Sequence, residues 1–277
     1  MEVTKRLLAG AIHNPIVRKC WSVAIRVPIV SNVLHDFARR LLPVGTRVWV
    51  RIRYKELAAR RYWLSVEPRY EDGHYKGTHE PAVQALLVSH LRPGNCFYDI
   101  GAHTGFFSIL AAAIVGESGL VAAFEPDRRN ASLLREDVER NLLDSRVHIV
   151  EQAVWSSEGT VKLMSANSGP YSNTGMSKIV TEERQGSYLV SCTTLDKMMN
   201  ALPAPTVIKI DVEGAESEVL KGSGRLFESA RPIVICEIHD VGNENFALSW
   251  LAERKYACHW LEQAKRFPRH LVALPRQ

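Results

Sequence analysis

From about Glu80 onward the chain alternates short apolar runs with helical patterns, which restricts it to a largely parallel sheet covered on both faces, a doubly wound α/β architecture. Five runs have strand length: Cys96 to Ile100, Leu120 to Phe124, Arg146 to Val150, Thr206 to Ile210 and Ile233 to Ile238. They are mostly apolar at successive positions, as strands buried on both sides require. Helical patterns fit between them at Gly105 to Val115, Arg128 to Leu142, Leu195 to Asn200 and Ala215 to Lys221, the last closed by Gly222. Pro81 to His90 reads as a helix before the first strand and Phe246 to Arg254 as one after the fifth. Tyr256 to Leu261 and His270 to Leu274 read as a final strand pair.

The front of the chain is different. Residues 1 to 80 hold 15 Lys and Arg against 7 Asp and Glu, although the whole chain of 277 residues carries only +5. We therefore divide it into a basic helical/β extension, residues 1–76, and a domain of residues 77–277. Within the extension, residues 7 to 42 mix Leu, Ile, Val and Trp21 with Arg and are broken by Pro15, Pro28 and Pro43. That pattern suits a helical cap, with contact to an anionic membrane surface as the second reading. No ordered module of a DNA or RNA reader is visible. Residues 47 to 76 are rich in Arg, Tyr and Trp and read as a β-hairpin or arm, and residues 165 to 187 as a long surface loop between strands near Val161 and Leu189. No signal peptide or membrane-spanning run is recognised, so a cytoplasmic protein, peripheral to the membrane at most, is expected. The five cysteines are scattered and form no CxxC pair, which excludes a disulfide framework or thiolate zinc site as the organising element.

The strongest chemical signal is Phe97-Tyr-Asp99-Ile-Gly101-Ala-His103-Thr-Gly105, at the end of a buried strand and the start of a helix. Its glycines permit a tight turn and close approach of a ligand to the backbone, next to the unpaired N–H groups of a helix start. Gly101 and Gly105 are four apart, with His103 in place of the middle glycine that a dinucleotide pyrophosphate needs. Asp99 suits a cationic ligand group better than a phosphate. Glu125 ends the next strand, 24 residues after Gly101, where a carboxylate can accept from both ribose hydroxyls. Together these point to a nucleoside-bearing, positively charged cofactor.

At this point the chain resembles the FkbM family of methyltransferases. The resemblance runs through DIGAHTGFFS, AFEPDRRNASLL, VHIVEQAVWSSEG, TTLD at Thr193 to Asp196, IKIDVEGAESEVLKG at Ile208 to Gly222 and RPIVICEIH at Arg231 to His239, all in the family's order. It implies the class I methyltransferase (Rossmann-like) sheet of seven strands with its last pair antiparallel, S-adenosyl-L-methionine as cofactor, and O-methylation of a hydroxyl on a sugar, glycolipid or secondary metabolite. By position, Asp99, Gly101 and Gly105 line the methionine part, Glu125 the ribose, and Gln152 with Ala153 the adenine edge. Glu80, from the matched Gly77-Thr-His79-Glu80 piece, closes over the cofactor. Family members often carry Asn where His103 stands.

Methyl transfer to an alcohol also requires a group that takes the hydroxyl proton. Asp211 ends the fourth strand in the crevice where open α/β sheets bind ligands, and Glu237 and His239 end the fifth with side chains toward one face, so these three are the catalytic candidates. A divalent cation held by Asp211, Glu213, Glu237 and His239 is the less favoured route. N-methylation or RNA methylation is an alternative, but Asp211-Val-Glu-Gly stands where relatives of that kind carry an Asn-Pro-Pro-Tyr type tetrapeptide. A non-catalytic cofactor-binding scaffold is the other.

Overall fold

A computed structural model describes residues 46–52, 62–67, 71–165, 177–180, 182, 184–263 and 266–276. The expected amphipathic segment 7–42 lies outside the described residues, as do Tyr54 and Tyr70 of the aromatic arm.

Thirteen strands and eight helices follow one another among the described residues. The strands are β1 (Val48–Arg51), β2 (Trp63–Val66), β3 (Cys96–Ile100), β4 (Leu120–Phe124), β5 (Val147–Val150), β6 (Ala153–Val154), β7 (Gly159–Met164), β8 (Lys178–Val180), β9 (Ser187–Thr193), β10 (Val207–Ile210), β11 (Ile233–Ile238), β12 (Tyr256–Trp260) and β13 (Arg269–Pro275). The helices are α1 (Asp72–Lys76), α2 (Pro81–His90), α3 (Phe106–Val115), α4 (Arg128–Arg140), α5 (Leu195–Met198), α6 (Glu216–Lys221), α7 (Gly224–Ala230) and α8 (Val241–Glu253).

The main sheet has seven strands in the order β12-β13-β11-β10-β3-β4-β5. All neighbours are parallel except at β13, which runs antiparallel to both β11 and β12. The order reverses direction between β3 and β10, which opens a crevice above their carboxyl ends. Alternate residues feed two separate cores. Phe97, Ala123, Val207 and Ile235 pack with α2, α3 and α4 on one face, whereas Tyr98, Ile100, Ile208 and Cys236 pack with α6, α7 and α8 on the other. Asp99, Lys209 and Glu237 follow the first alternation, so polar groups enter that face only near its upper end.

Several elements depart from the sequence-based expectation. Lys178–Val180 forms β8 within the expected loop and joins β7 in a second, four-stranded sheet of order β6-β9-β7-β8. Helix α8 starts five residues earlier than its apolar pattern, because the Asp240 side chain caps it by accepting from the Asn243 N–H. Helix α7 was masked in sequence by Gly222-Ser-Gly, which reads as a stop. Cys96 and Cys236 are buried free thiols, as their apolar runs require; Cys192 is also free and buried, and Cys258 is free and half-buried.

Charge changes near residue 76, but packing does not. Val50, Ile52, Leu64 and Val66 of the antiparallel β1–β2 pair belong to the same core as Leu87, Phe106 and Leu134. The outer edge of β2 would expose unpaired backbone groups, and α4 supplies the missing partners with side chains one turn apart. Ser65 N–H donates to both carboxylate oxygens of Asp137 at 3.0 and 3.1 Å. Trp63 N–H donates to Asn141 Oδ1 at 2.7 Å, and Asn141 Nδ2 donates to the Trp63 carbonyl at 2.7 Å. Burial pushes the Asp137 carboxyl up to about 8, the Ser65 bond opposing only part of that rise.

Because the native carboxyl holds its proton more tightly than the unfolded one, its contribution to stability is complete below the unfolded value and is lost as pH rises toward about 8. In urea unfolding, Asp137→Asn is expected to gain stability relative to the parent between pH 5 and 8 and to flatten the dependence. Asn141→Ala, which strands both Trp63 backbone groups, is expected to lose about 1–3 kcal/mol per orphaned group.

Candidate active site

The carboxyl ends of β3, β4, β10 and β11 open into a cavity of about 650 Å³. Glu80, Asp99, Gly101, His103, Glu125, Gln152, Ala153, Asp211, Glu237 and His239 all lie on its wall, as does Glu213. Gly105 does not. It has φ +93°, and a Cβ there would stand 2.2 Å from Leu134 Cδ1, so this glycine lets α3 start against α4. Gly101 has φ +82°, and its Cβ would fall 1.8 Å from the Asp211 carbonyl oxygen. The close approach that Gly101 permits is therefore already made by the chain itself, where the turns after β3 and β10 touch.

Asp99 is 1% exposed. Its Oδ2 accepts from Ser108 Oγ at 2.6 Å, while its Oδ1 is buried without a hydrogen-bond partner among the described residues. Burial raises its pKa, with Lys209 and Ser108 opposing. An orphaned buried acceptor on a cavity wall is a place for a donor carried by a ligand.

Glu125 is fixed by two backbone donors, His103 N–H to Oε2 at 2.8 Å and Asp127 N–H to Oε1 at 2.9 Å. Burial nevertheless pushes its pKa up to about 7. His103 reaches Glu125 from a left-handed backbone, φ +52°. Asn tolerates that conformation better than most residues, which gives a backbone reason for its frequency at this position in the family that the chain resembles.

The floor is acidic. Lys209, 2% exposed, donates to Asp211 Oδ2 at 2.8 Å and sits 4.9 Å from the centre of the Phe107 ring. Burial alone would raise Asp211, but the Lys209 charge and hydrogen bond hold it well below the usual carboxylate range. Glu237 is pushed up to about 8 by burial, by the Asp211 charge and by a hydrogen bond to Asp211, in which Glu237 is the donor. His239 has both ring nitrogens engaged: Nδ1 with Glu216 Oε1 at 2.8 Å and Nε2 with Glu213 Oε2 at 3.2 Å. Burial would lower its pKa, yet the bonds to Glu213 and Glu216 raise it to about 11.

Beside the expected Glu80 stand several residues that were not found in the sequence. Glu80 adopts a left-handed backbone, φ +42°, and its Oε1 and Oε2 lie 3.1 Å from His79 Nε2 and 3.1 Å from His270 Nε2. His270 is in turn held by Glu262, and these two carboxylates outweigh burial to bring its pKa to about 9. From the hairpin side come Arg47, Glu67, Glu71 and His74. Arg47 bridges Glu71 Oε2 at 3.0 Å, Ser65 Oγ at 3.1 Å and the Ser65 carbonyl. Burial and then the charges of His79, His103 and Arg47 hold His74 well below the usual histidine value. The one available sequence signal was the strand pair itself, since an antiparallel return sets His270 opposite Glu237.

Residues 99–259 match the Methyltransferase FkbM domain. The chain belongs to the FkbM methyltransferase family. Its relatives include the hexuronic acid methyltransferase AglP of Haloferax volcanii, 31% identical over 184 residues that cover 66% of this chain and 71% of AglP. A shorter match, 38% identical over 74 residues, reaches 27% of this chain and 38% of a probable cobalt-precorrin-6B C(15)-methyltransferase (decarboxylating) of Sulfurisphaera tokodaii. Among solved structures, methyltransferase FkbM from Methylobacillus flagellatus is 18% identical with a TM-score of 0.49, covering 91% of this chain and 60% of that one. Membership makes this an S-adenosylmethionine-dependent methyltransferase. The wall fits that cofactor: Asp99 Oδ1 lacks a donor among the described residues, and Glu125 lines the same crevice.

Since Gly105 is a packing residue, Gly105→Ala is expected to destabilise the fold, and less so in a Leu134→Ala background than in the parent. The folded fraction should keep its affinity for S-adenosylhomocysteine. A selective loss of affinity with unchanged stability would return Gly105 to the ligand wall.

Proposed function

We propose that this FkbM methyltransferase O-methylates a hydroxyl on a carbohydrate or glycolipid, with the acceptor seated on the Asp211–Glu237 floor. The observation that carries this reading is the Asp211 carboxylate, paired with Lys209 at 2.8 Å, in the same cavity as Asp99 and Glu125. The hexuronic acid named for the AglP relative supports a sugar acceptor. Carboxyl groups from β10 and β11 and from the turn before α2 offer the hydrogen-bond acceptors that a polyhydroxylated ring needs.

S-adenosylmethionine, when bound, supplies a methyl group on a sulfonium. We assign Asp99 to its ammonium group, Glu125 to its ribose, and Gln152 and Ala153 to the adenine edge, with Glu80 and Gly101 completing the enclosure. At the floor, Asp211 orients the acceptor hydroxyl and takes its proton as the new C–O bond forms and the S–C bond breaks. Lys209 keeps that carboxylate charged and in place, and holding the reactants in line supplies much of the acceleration. Glu237 keeps the proton that it donates to Asp211, which fixes the rotamer of that base. His239 has no nitrogen available to accept a proton, so we give it a positioning role, clamping the Glu213–Glu216 turn under the floor.

Labelled methyl transfer to a panel of methyl glycosides, uronides and glycolipids tests the acceptor class. Transfer to none of these, but to an amine or an RNA, would overturn the carbohydrate reading.

The ribose assignment has a sharper test by calorimetry with S-adenosylhomocysteine. Glu125→Gln is expected to weaken binding by about ten- to a hundredfold, the 1.5–3 kcal/mol of a hydrogen bond to a charged group. Because ribose hydroxyls donate to the ionised form, affinity in the parent should fall as pH drops through about 7, and the Gln variant should lack that step. Equal affinity and equal pH dependence in the two would remove Glu125 from the ribose.

A further inference from the structure

We propose that Glu80, Glu237 and His270 form a binding site for one divalent transition-metal cation of the Mn²⁺ or Zn²⁺ class. One carboxylate oxygen from each Glu and a ring nitrogen of His270 lie within 4.8 Å of one another. Ligands at bonds of about 2.0–2.2 Å to one ion stand no more than about 4.4 Å apart, so a side-chain adjustment of a few tenths of an ångström at most brings the three together. Glu237 and His270 are register partners on β11 and β13, so two ligands stand on rigid neighbouring strands. Glu80 brings the third down from the turn before α2, its Oε2 3.1 Å from His270 Nε2.

An independent feature outside the trio points the same way. Glu262 accepts from His270 Nδ1 at 2.6 Å and from the His270 backbone N–H at 2.8 Å. This fixes the ring and keeps a hydrogen on Nδ1, so that Nε2, 3.1 Å from Glu80 Oε2, is the nitrogen that would take an ion in exchange for its proton. Metal-bound histidines nearly always donate their remote N–H to a carboxylate, a carbonyl or a water, and Glu262 gives His270 that support. The surroundings also favour a cation: among the described residues, eight carboxyl side chains line the cavity against three from Arg and Lys.

A second trio, Asp211, Glu237 and His239, meets the same distance condition. There, however, both His239 nitrogens are taken by Glu213 and Glu216, and Asp211 already holds the Lys209 ammonium. In the Glu80 trio, by contrast, His270 Nε2 is engaged among the described residues only by Glu80, itself a ligand, so an ion there exchanges for the protons held on His270 Nε2 and Glu237. Two of its ligands lie outside the family-matched residues 99–259, so the site belongs to this chain rather than to the matched segment. Two oxygens and an imidazole nitrogen suit Mn²⁺ or Zn²⁺ better than Mg²⁺ or Ca²⁺, which favour all-oxygen shells. An ion held next to Asp211 would polarise an acceptor hydroxyl, a role that rests on the proposed acceptor position, whereas binding of the ion does not.

The test uses the full chain, freed of metal by chelator and titrated with Mn²⁺ under electron paramagnetic resonance, without cofactor or acceptor. One saturable equivalent, displaced by Zn²⁺, is expected. Glu80→Gln and His270→Asn should weaken it at least tenfold, Glu262→Gln by about ten- to a hundredfold, and Glu213→Gln should leave it unchanged. If His270→Asn does not fold, the Glu80 and Glu262 variants decide the matter. Absence of saturable binding, binding unaffected by Glu80→Gln and Glu262→Gln, or binding lost only in Glu213→Gln would each overturn the site. Binding of S-adenosylhomocysteine, measured on the same samples, reports separately on the methyltransferase reading.

Discussion

The cavity depends on one buried ammonium group. Lys209 stands on β10, the strand between β3 and β11, and its register partners are Asp99 on one side and Ile235 on the other. Its Nζ binds Asp211, and its charge also acts on Glu80 and Asp99. Burying several carboxyls at the top of an apolar sheet face is costly unless a countercharge is buried with them. Burial would strip the Lys209 proton, but the surrounding carboxylates override it and hold its pKa above the ordinary value. The ammonium therefore stays charged, and Asp211 can remain ionised where an isolated aspartate would take up a proton. The Phe107 ring on α3 adds a further favourable face for the cation.

The doubly wound sheet was legible because its strands are buried on both faces and its helices alternate with them, so periodicity and topology agree. Boundaries failed where the deciding bond is local. The Asp240 cap that starts α8 is a single side chain, and β8 exists because β7 offers it an edge. The glycines were legible as necessary but not in what they are necessary for. Spacing alone cannot tell a ligand from a second backbone, and at Gly101 it is the Asp211 carbonyl that approaches. At Gly105 it is Leu134.

Site residues at strand ends were recoverable for a simple reason: the carboxyl edge of a parallel sheet faces the crevice, so Asp99, Glu125, Asp211 and Glu237 all had to arrive there. Their protonation was not recoverable. Asp211 and Glu237 look equivalent in sequence, yet Lys209 ionises one, and that charge helps keep the other protonated. His239 looks like a free strand-end histidine until the turn after β10 folds back and places Glu213 and Glu216 on its two nitrogens. His270 and Glu262 depend on β13 returning antiparallel, and Arg47 and His74 on the hairpin docking, so none carries a local signal.

That docking also divides the cavity into two walls of different origin. The groups assigned to cofactor and proton lie largely within residues 99–259, on strands and turns that the sheet holds rigid. The opposite wall, with Arg47, Glu67, Glu71 and His74, comes from residues before the match and is fastened to the domain through α4. Asp137 and Asn141 bind backbone atoms of β2, not its side chains, so their grip is indifferent to which residues the hairpin presents. The bonds from α4 therefore hold β2 whatever side chains it carries, whereas Arg47 and Glu71, which bond each other and in the case of Arg47 also Ser65, combine a place on the cavity with a part in the hairpin's own structure.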